Sequence, residues 1–252
     1  SNLTELNLGG YTNLKSVDIN VRSLYHLIPV SIILSDCTSL VSVDLYGRMA
    51  SVDLSGCLSL AECSLDGTAE GLTSVDLSGC TAPMHLYVGS TLLSELDLSG
   101  TGVKECEITS NKNLTSVSFA GCGNLESCTV SENAILGTLD FSSCQSLKTI
   151  DAGNGSNPII ESVGLSGCSS LEEFTLSGAR LTGLELSDCT SLEYLDVKDN
   201  LMQAYGLNAM FRTMYDRSSE PVTGSLFVSG NPGESDCDRT IVLNKNWYFP
   251  VE

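Results

Sequence analysis

The fold class that the sequence predicts is a solenoid of short parallel β-strands, about nine turns long, with a small α/β unit at its C-terminal end. Three observations predict it. An eleven-residue phrase, apolar at its first, fourth and sixth positions and mostly polar elsewhere, can be placed eighteen times between residues 1 and 200. Consecutive phrases leave no room for a helix between them. After residue 200 the spacing of apolar residues becomes helical.

Taken in order, the fourth position is Leu6, Val17, Ile32, Val43, Val52 and Cys63 in the first six phrases, and the series runs on to Leu195. The sixth position, two residues later, is apolar in all eighteen, from Leu8 to Val197. Alternate side chains of a strand point to opposite faces, so apolar residues at four and six around a polar one mark a half-buried strand. Two kinds of phrase alternate. One reads like Val75-Asp-Leu-Ser-Gly-Cys80 and has cysteine at its ninth position seven times: Cys37, Cys57, Cys80, Cys122, Cys144, Cys168 and Cys189. The other reads like Cys106-Glu-Ile-Thr-Ser-Asn111. The repeat is therefore a pair of about 21 to 22 residues, and a fixed period of that length marks a stacked-repeat architecture. Each turn gives one strand to each of two parallel sheets. With strands ~4.8 Å apart, nine turns make a rod roughly 40 Å long.

Two domains follow from the change of pattern: the solenoid over residues 1–200 and a C-terminal α/β cap over residues 201–252, packed on the last turn. An open solenoid end exposes core and unpaired strand edges, which a cap covers. Residues 203–216 place Ala204, Leu207, Phe211 and Met214 on one helical face. Gly224–Val228 reads as a strand, Ser229–Gly233 as a turn, Ser235–Asp238 as a helix start, and Trp247–Phe249 as a closing strand.

The phrases Leu72-Thr-Ser-Val75-Asp-Leu77-Ser-Gly-Cys80 and Leu181-Thr-Gly-Leu184-Glu-Leu186-Ser-Asp-Cys189 resemble the leucine-rich repeat, LxxLxLxx(N/C)xL. The short period, the Asp-Leu-Ser phrase and the two alternating strand types are similar to the internalin-like repeats of bacterial surface proteins. The resemblance covers residues 1 to about 200. It implies a leucine-rich-repeat solenoid, an extracellular or cell-surface location, and a ninth position that turns inward to bond the backbone of the loop leaving the strand. The seven cysteines then form a ladder of small buried thiols, while Cys63, Cys106 and Cys128 replace core valine or leucine. Side chains stacked in register point in parallel, which is poor geometry for disulfides. Ten buried thiols without chemistry are expected. The chain opens on Ser1-Asn2-Leu3, already inside the pattern, and reads as a piece of a longer protein whose export signal and anchor lie elsewhere.

A formal charge of −19, from 31 acidic and 12 basic residues, excludes the clustered Lys and Arg on which nucleic-acid binding depends. No apolar run approaches the ~18 residues of a membrane span. A cationic partner, a divalent ion or a neutral glycan is compatible. No glycine-rich phosphate loop, catalytic triad or acid pair stands out, so the chain is not read as an enzyme, and no cofactor is expected.

Candidate residues lie at the outward third, fifth and seventh positions. On the first sheet these repeat as Ser, Asp and Ser, so Asp53, Asp76 and Asp97 are expected to stack; like charges side by side repel, which a bound Ca²⁺ could relieve. The plainer reading is a hydrated acidic strip with no metal. The second sheet is varied and carries the candidate partner-binding residues Tyr46, His85, Tyr87 and Tyr194. Varied aromatic positions suit recognition. His26 and His85 match no metal-ligand spacing. Asn231, Glu234, Asp236 and Asp238 form an oxygen-rich loop open to calcium, and Cys237 could have a lowered pKa at a helix start. The functional expectation is a non-catalytic recognition module that binds a protein partner through the varied face. A structural spacer displaying another domain is the alternative, and glycan binding the third reading.

Overall fold

The computed structural model describes residues 3–21, 28–67, 71–153, 155 and 157–250. The strands follow the phrases: β1 (Glu5–Asn7), β2 (Ser16–Val21), β3 (Val30–Ile33), β4 (Ser42–Gly47), β5 (Met49–Asp53), β6 (Glu62–Asp66) and β7 (Ser74–Asp76). Then come β8 (Met84–Gly89), β9 (Glu95–Asp97), β10 (Val103–Thr109), β11 (Ser116–Ser118), β12 (Ser127–Ser131) and β13 (Thr138–Asp140). The repeats end with β14 (Thr149–Asp151), β15 (Ser162–Gly164), β16 (Glu173–Thr175) and β17 (Tyr194–Asp196). Helix α1 (Ala204–Thr213), β18 (Gly224–Phe227), helix α2 (Thr240–Leu243) and β19 (Trp247–Tyr248) complete the chain.

All pairings are parallel, and they join like positions of the phrase. Leu6 pairs with Ile32, Ile32 with Val52 and Val52 with Val75. On the other wall Val43 pairs with Cys63, Cys63 with Leu86 and Leu86 with Cys106. A slip of one residue would turn each apolar set to solvent, so the buried alternation fixes the register. The fourth and sixth positions of both walls merge into one core that runs from Val17 to Phe249. At the eighth position the backbone is left-handed, with φ +77° at Gly79, and this is why glycine recurs there.

The structure departs from the expected solenoid in three places. The second sheet has eleven strands, not nine, because β18 and β19 continue it past β17. The last two turns keep this wall, and α1 and α2 occupy the chain between its strands. The first sheet is divided into β1-β3-β5-β7 and β9-β11-β13-β15. The division lies beside Thr101, the one ninth position in the cysteine series held by threonine. Its hydroxyl closes on the Leu98 carbonyl of its own turn at 2.7 Å, where the cysteines reach back to the turn before. Lastly, the phrase at Leu184 forms no strand. There the Leu186 amide donates to Thr213 Oγ1 on α1, and Gly206 of α1 packs so closely on Thr182 that a Cβ would sit 2.3 Å from its carbonyl oxygen.

The expected helix over 203–216 is shorter, and the helix start at 235–238 resolves into a 3₁₀ turn over Glu234–Asp236 followed by α2. Asp238 accepts from the Thr240 amide at 3.1 Å, which sets α2 off from the turn before it.

Candidate functional site

The outward face of the eleven-stranded sheet carries the chemistry. Register stacks its third positions as Ser42, Glu62, His85, Glu105 and Ser127, and its fifth positions as Asp44, Ser64, Tyr87, Glu107 and Thr129. These two columns floor a trough of about 470 Å³ that crosses β4, β6, β8, β10 and β12. Carboxylates dominate it, in Asp44, Glu62, Glu105 and Glu107, and among the described residues no lysine or arginine lines it. Lys104 and Lys148, on neighbouring turns, stand aside against Glu126 at 3.6 and 3.3 Å.

His85 is set between two carboxylates by register, Glu62 on one side and Glu105 on the other. Its Nδ1 lies 3.8 Å from Glu105 Oε2, and both side chains are about half exposed. Two residues along the same strand, Tyr87 lies over Gly89: a Cβ at 89 would fall 2.3 Å from the phenol oxygen, so glycine is what lets the ring lie down. Partial burial raises the Tyr87 pKa, and the carboxylates of Asp66, Glu107 and Glu132 add to it. The ring thus presents a half-buried face within a negative field. Such a surface suits a cation, through carboxylate pairing and through attraction to the ring face.

The four aromatic and histidine candidates do not form one site. His85 and Tyr87 share the trough. Tyr46 is on the same sheet two strands away, but in register with Asp66 and hence with the Gly89 column, outside the trough lining. Tyr194 is five strands from β8, ~24 Å by the strand spacing. It belongs to a second group: its ring centroid is 5.4 Å from that of Phe227, and Lys198 lies 5.7 Å from the Phe227 ring and 3.4 Å from Asp196 Oδ2. Burial raises the Tyr194 pKa, with Asp196 adding to it. The glutamates were legible as variation along the face, but their place on either side of His85 emerges only once the strands are aligned.

The acidic strip needs a correction. Asp53 and Asp76 do stack in register, whereas Asp97 sits across the division of the wall and pairs with Ser118. Each carboxylate has a task in its own loop: Oδ1 of Asp53, Asp76 and Asp97 accepts the amide two residues on, from Ser55, Ser78 and Ser99. Asp97 is held below the usual carboxylate range by the Ser99 hydroxyl and amide. Among the described residues no group of three or more His, Cys, Asp or Glu is placed to hold a metal ion. His26 lies outside the described residues. Asn231 is also committed, donating to the Val197 and Val228 carbonyls and accepting from the Met202 amide. Burial raises the Cys237 pKa, the opposite of an activated thiol.

Residues 98–214 match the family model described as BspA type leucine rich repeat region, in six copies. No curated protein matches the chain. Among solved structures, the TLR13–ssRNA13 complex is 16% identical, with a TM-score of 0.44, and the match covers 91% of this chain and 41% of that one. An internalin, InlF from Listeria monocytogenes str. 4b F2365, is 16% identical with a TM-score of 0.31, over 91% of this chain and 74% of that one.

Proposed function

We propose, for a chain that is a leucine-rich-repeat protein with BspA-type repeats over residues 98–214, that it is a non-catalytic recognition module. In this reading it binds a protein partner in the trough of the eleven-stranded sheet, as part of a bacterial protein displayed outside the cell, with residues 201–252 as its cap. One observation carries the reading: five adjacent strands place a half-buried tyrosine and a histidine among carboxylates, on the wall whose outward residues vary from turn to turn. The partner would bring lysine or arginine to this face, so association should be steered by charge and weaken with salt. A spacer needs no such face, and a glycan site would want aromatics gathered together, whereas Tyr46, Tyr87 and Tyr194 are dispersed along the sheet.

The test is affinity capture from extracellular material and from extract of the source organism. The intact chain is compared with a Tyr87→Ala, Glu105→Gln, Glu107→Gln variant, at low and at high salt. All three positions are outward, so folding should be unchanged. The expected result is a protein retained by the parent chain at low salt, released by salt, and lost from the variant. Retention of the same proteins by both chains would move the site elsewhere, and retention of none would favour the spacer.

A further inference from the structure

Ten cysteines are buried, but two of them differ from the rest. The cysteines at the ninth position aim at backbone: Cys37, Cys57, Cys80, Cys122 and Cys168 donate to a carbonyl of the preceding turn at 3.0–3.3 Å. Cys106 and Cys128 occupy the fourth position of adjacent strands, β10 and β12, and are directly in register. Their sulfurs turn towards each other and stand 2.9 Å apart, inside the van der Waals contact of two sulfur atoms. Neighbouring strands hold their Cα atoms ~4.8 Å apart, within the range of about 4.4–6.8 Å that a disulfide spans. The general expectation that stacked thiols are ill placed for bonding fails here, because the two sulfurs of adjacent strands approach to 2.9 Å.

The two residues are also the only consecutive cysteines in their column, which otherwise holds valine, leucine, isoleucine, phenylalanine and one separate cysteine, Cys63. The same two turns carry Phe119 and Phe141, stacked at 4.6 Å between centroids on the other wall. Large side chains there leave room for small ones opposite, and packing alone would be satisfied by alanine or valine. Small size accounts for the space; the sulfur–sulfur approach is not accounted for by size.

We propose that Cys106 and Cys128 are a redox site that closes to a disulfide between two turns of the solenoid. The oxidant is a disulfide of the glutathione class, acting by thiol–disulfide exchange. Cys106, at 5% exposure the more accessible of the two, attacks the oxidant's S–S bond and expels one reduced thiol. Cys128 then attacks the Cys106 sulfur and expels the second. Two protons leave Cys106 and Cys128, two electrons pass to the oxidant, and one S–S bond forms as one breaks. Burial holds the Cys128 thiol well above its ordinary pKa, so closure is slow in the folded chain and faster while the chain is folding. The bond clamps adjacent turns in the middle of the rod.

The test refolds the full chain with oxidised glutathione, quenches with acid, unfolds, alkylates and weighs the product. With reductant all eleven cysteines should be alkylated. After oxidation two fewer should be, with no glutathione adduct, and tryptic peptides 105–112 and 113–148 should be joined, with fragmentation placing the link on Cys128 and showing Cys122 and Cys144 alkylated. Cys128→Ser should leave every remaining thiol free. Eleven alkylated thiols after oxidation would overturn the proposal, and so would a stable glutathione adduct on Cys106 or a missing pair that persists in Cys128→Ser. The joined peptides are read from the parent chain, so the proposal is tested even if the variant fails to fold.

Discussion

The two loop edges of the solenoid satisfy the same backbone groups with different chemistry. Where the chain leaves the eleven-stranded wall, a column of asparagines turns inward. Asn133 donates to the carbonyls of Ile108 and Ser131 at 2.9 Å and accepts the Asn111 amide at 3.1 Å. Asn111, Asn157 and Asn200 likewise reach back to a carbonyl one turn earlier. Where the chain leaves the divided wall, a cysteine makes one weak bond, as long as 3.8 Å at Cys144 and 4.0 Å at Cys189. An amide fastens two turns with three strong bonds, while a thiol mostly fills space. The wall bordered by thiols is the one that divides, at the turn where the Thr101 hydroxyl closes on the Leu98 carbonyl of its own turn.

The largest expected effect tests the stronger edge. Asn133→Ala takes the side-chain partner from the Asn111 amide and the Ile108 carbonyl, while the Ser131 carbonyl keeps the Ser110 amide at 3.0 Å; each buried group left unsatisfied costs ~1–3 kcal/mol. Destabilisation of about 3 kcal/mol is expected in denaturant unfolding, with a lower midpoint and unchanged slope. On the weaker edge, Cys168→Ala removes a sulfur and one modest bond to Phe141, for roughly 1 kcal/mol. Equal losses in the two variants would erase the distinction between the edges.

Thr101→Cys sharpens the comparison in the other direction. The thiol should reach back to the Leu77 carbonyl as its neighbours do, and slow hydrogen exchange of the amides in β7 and β9. Stability should rise by no more than about 0.5 kcal/mol, the scale of a weak hydrogen bond. Unchanged exchange would mean that the division has a cause other than the missing reach of Thr101.

Much of this was legible in the chain itself, because period-two burial and a near-constant phrase length fix both strand and register. Positions such as Val52, Val75 and Leu86 needed nothing more. What escaped depended on partners distant in sequence. Leu184 carries the full phrase yet forms no strand, since Thr213 of α1 takes a nearby amide. Asn157 hides as a column member because its loop is two residues longer than that of Asn133, so counting from Ile150 lands on Gly155. The trough was half legible: His85 and Tyr87 stood out as types, while Glu62 and Glu105, more than twenty residues from one another in sequence, meet His85 only through strand pairing. Tyr194 is of the same type but stands five strands from β8, a distance that no sequence spacing displays.

The smallest effect separates the edges by pH. The divided wall uses carboxylates to fix its loops turn after turn, whereas the asparagines that fasten the other edge do not titrate, and only Asp151 and Asp196 there take the amide two residues on. The Ser142 hydroxyl and amide hold Asp140 below the usual carboxylate range. Its folded pKa is depressed, so its contribution is fully present above the unfolded value of about 3.9 and is lost as pH falls through the folded value. Because the group is mostly exposed, solvent screening limits this to less than about 0.5 kcal/mol. Unfolding midpoints followed from pH 5 downwards should therefore fall slightly less steeply for Asp140→Asn than for the parent chain, while Asn133→Ala lowers the whole curve without changing its slope. A change of slope in Asn133→Ala would show that the amide edge is coupled to the acidic loops across the core, and the two edges would then have to be treated as one.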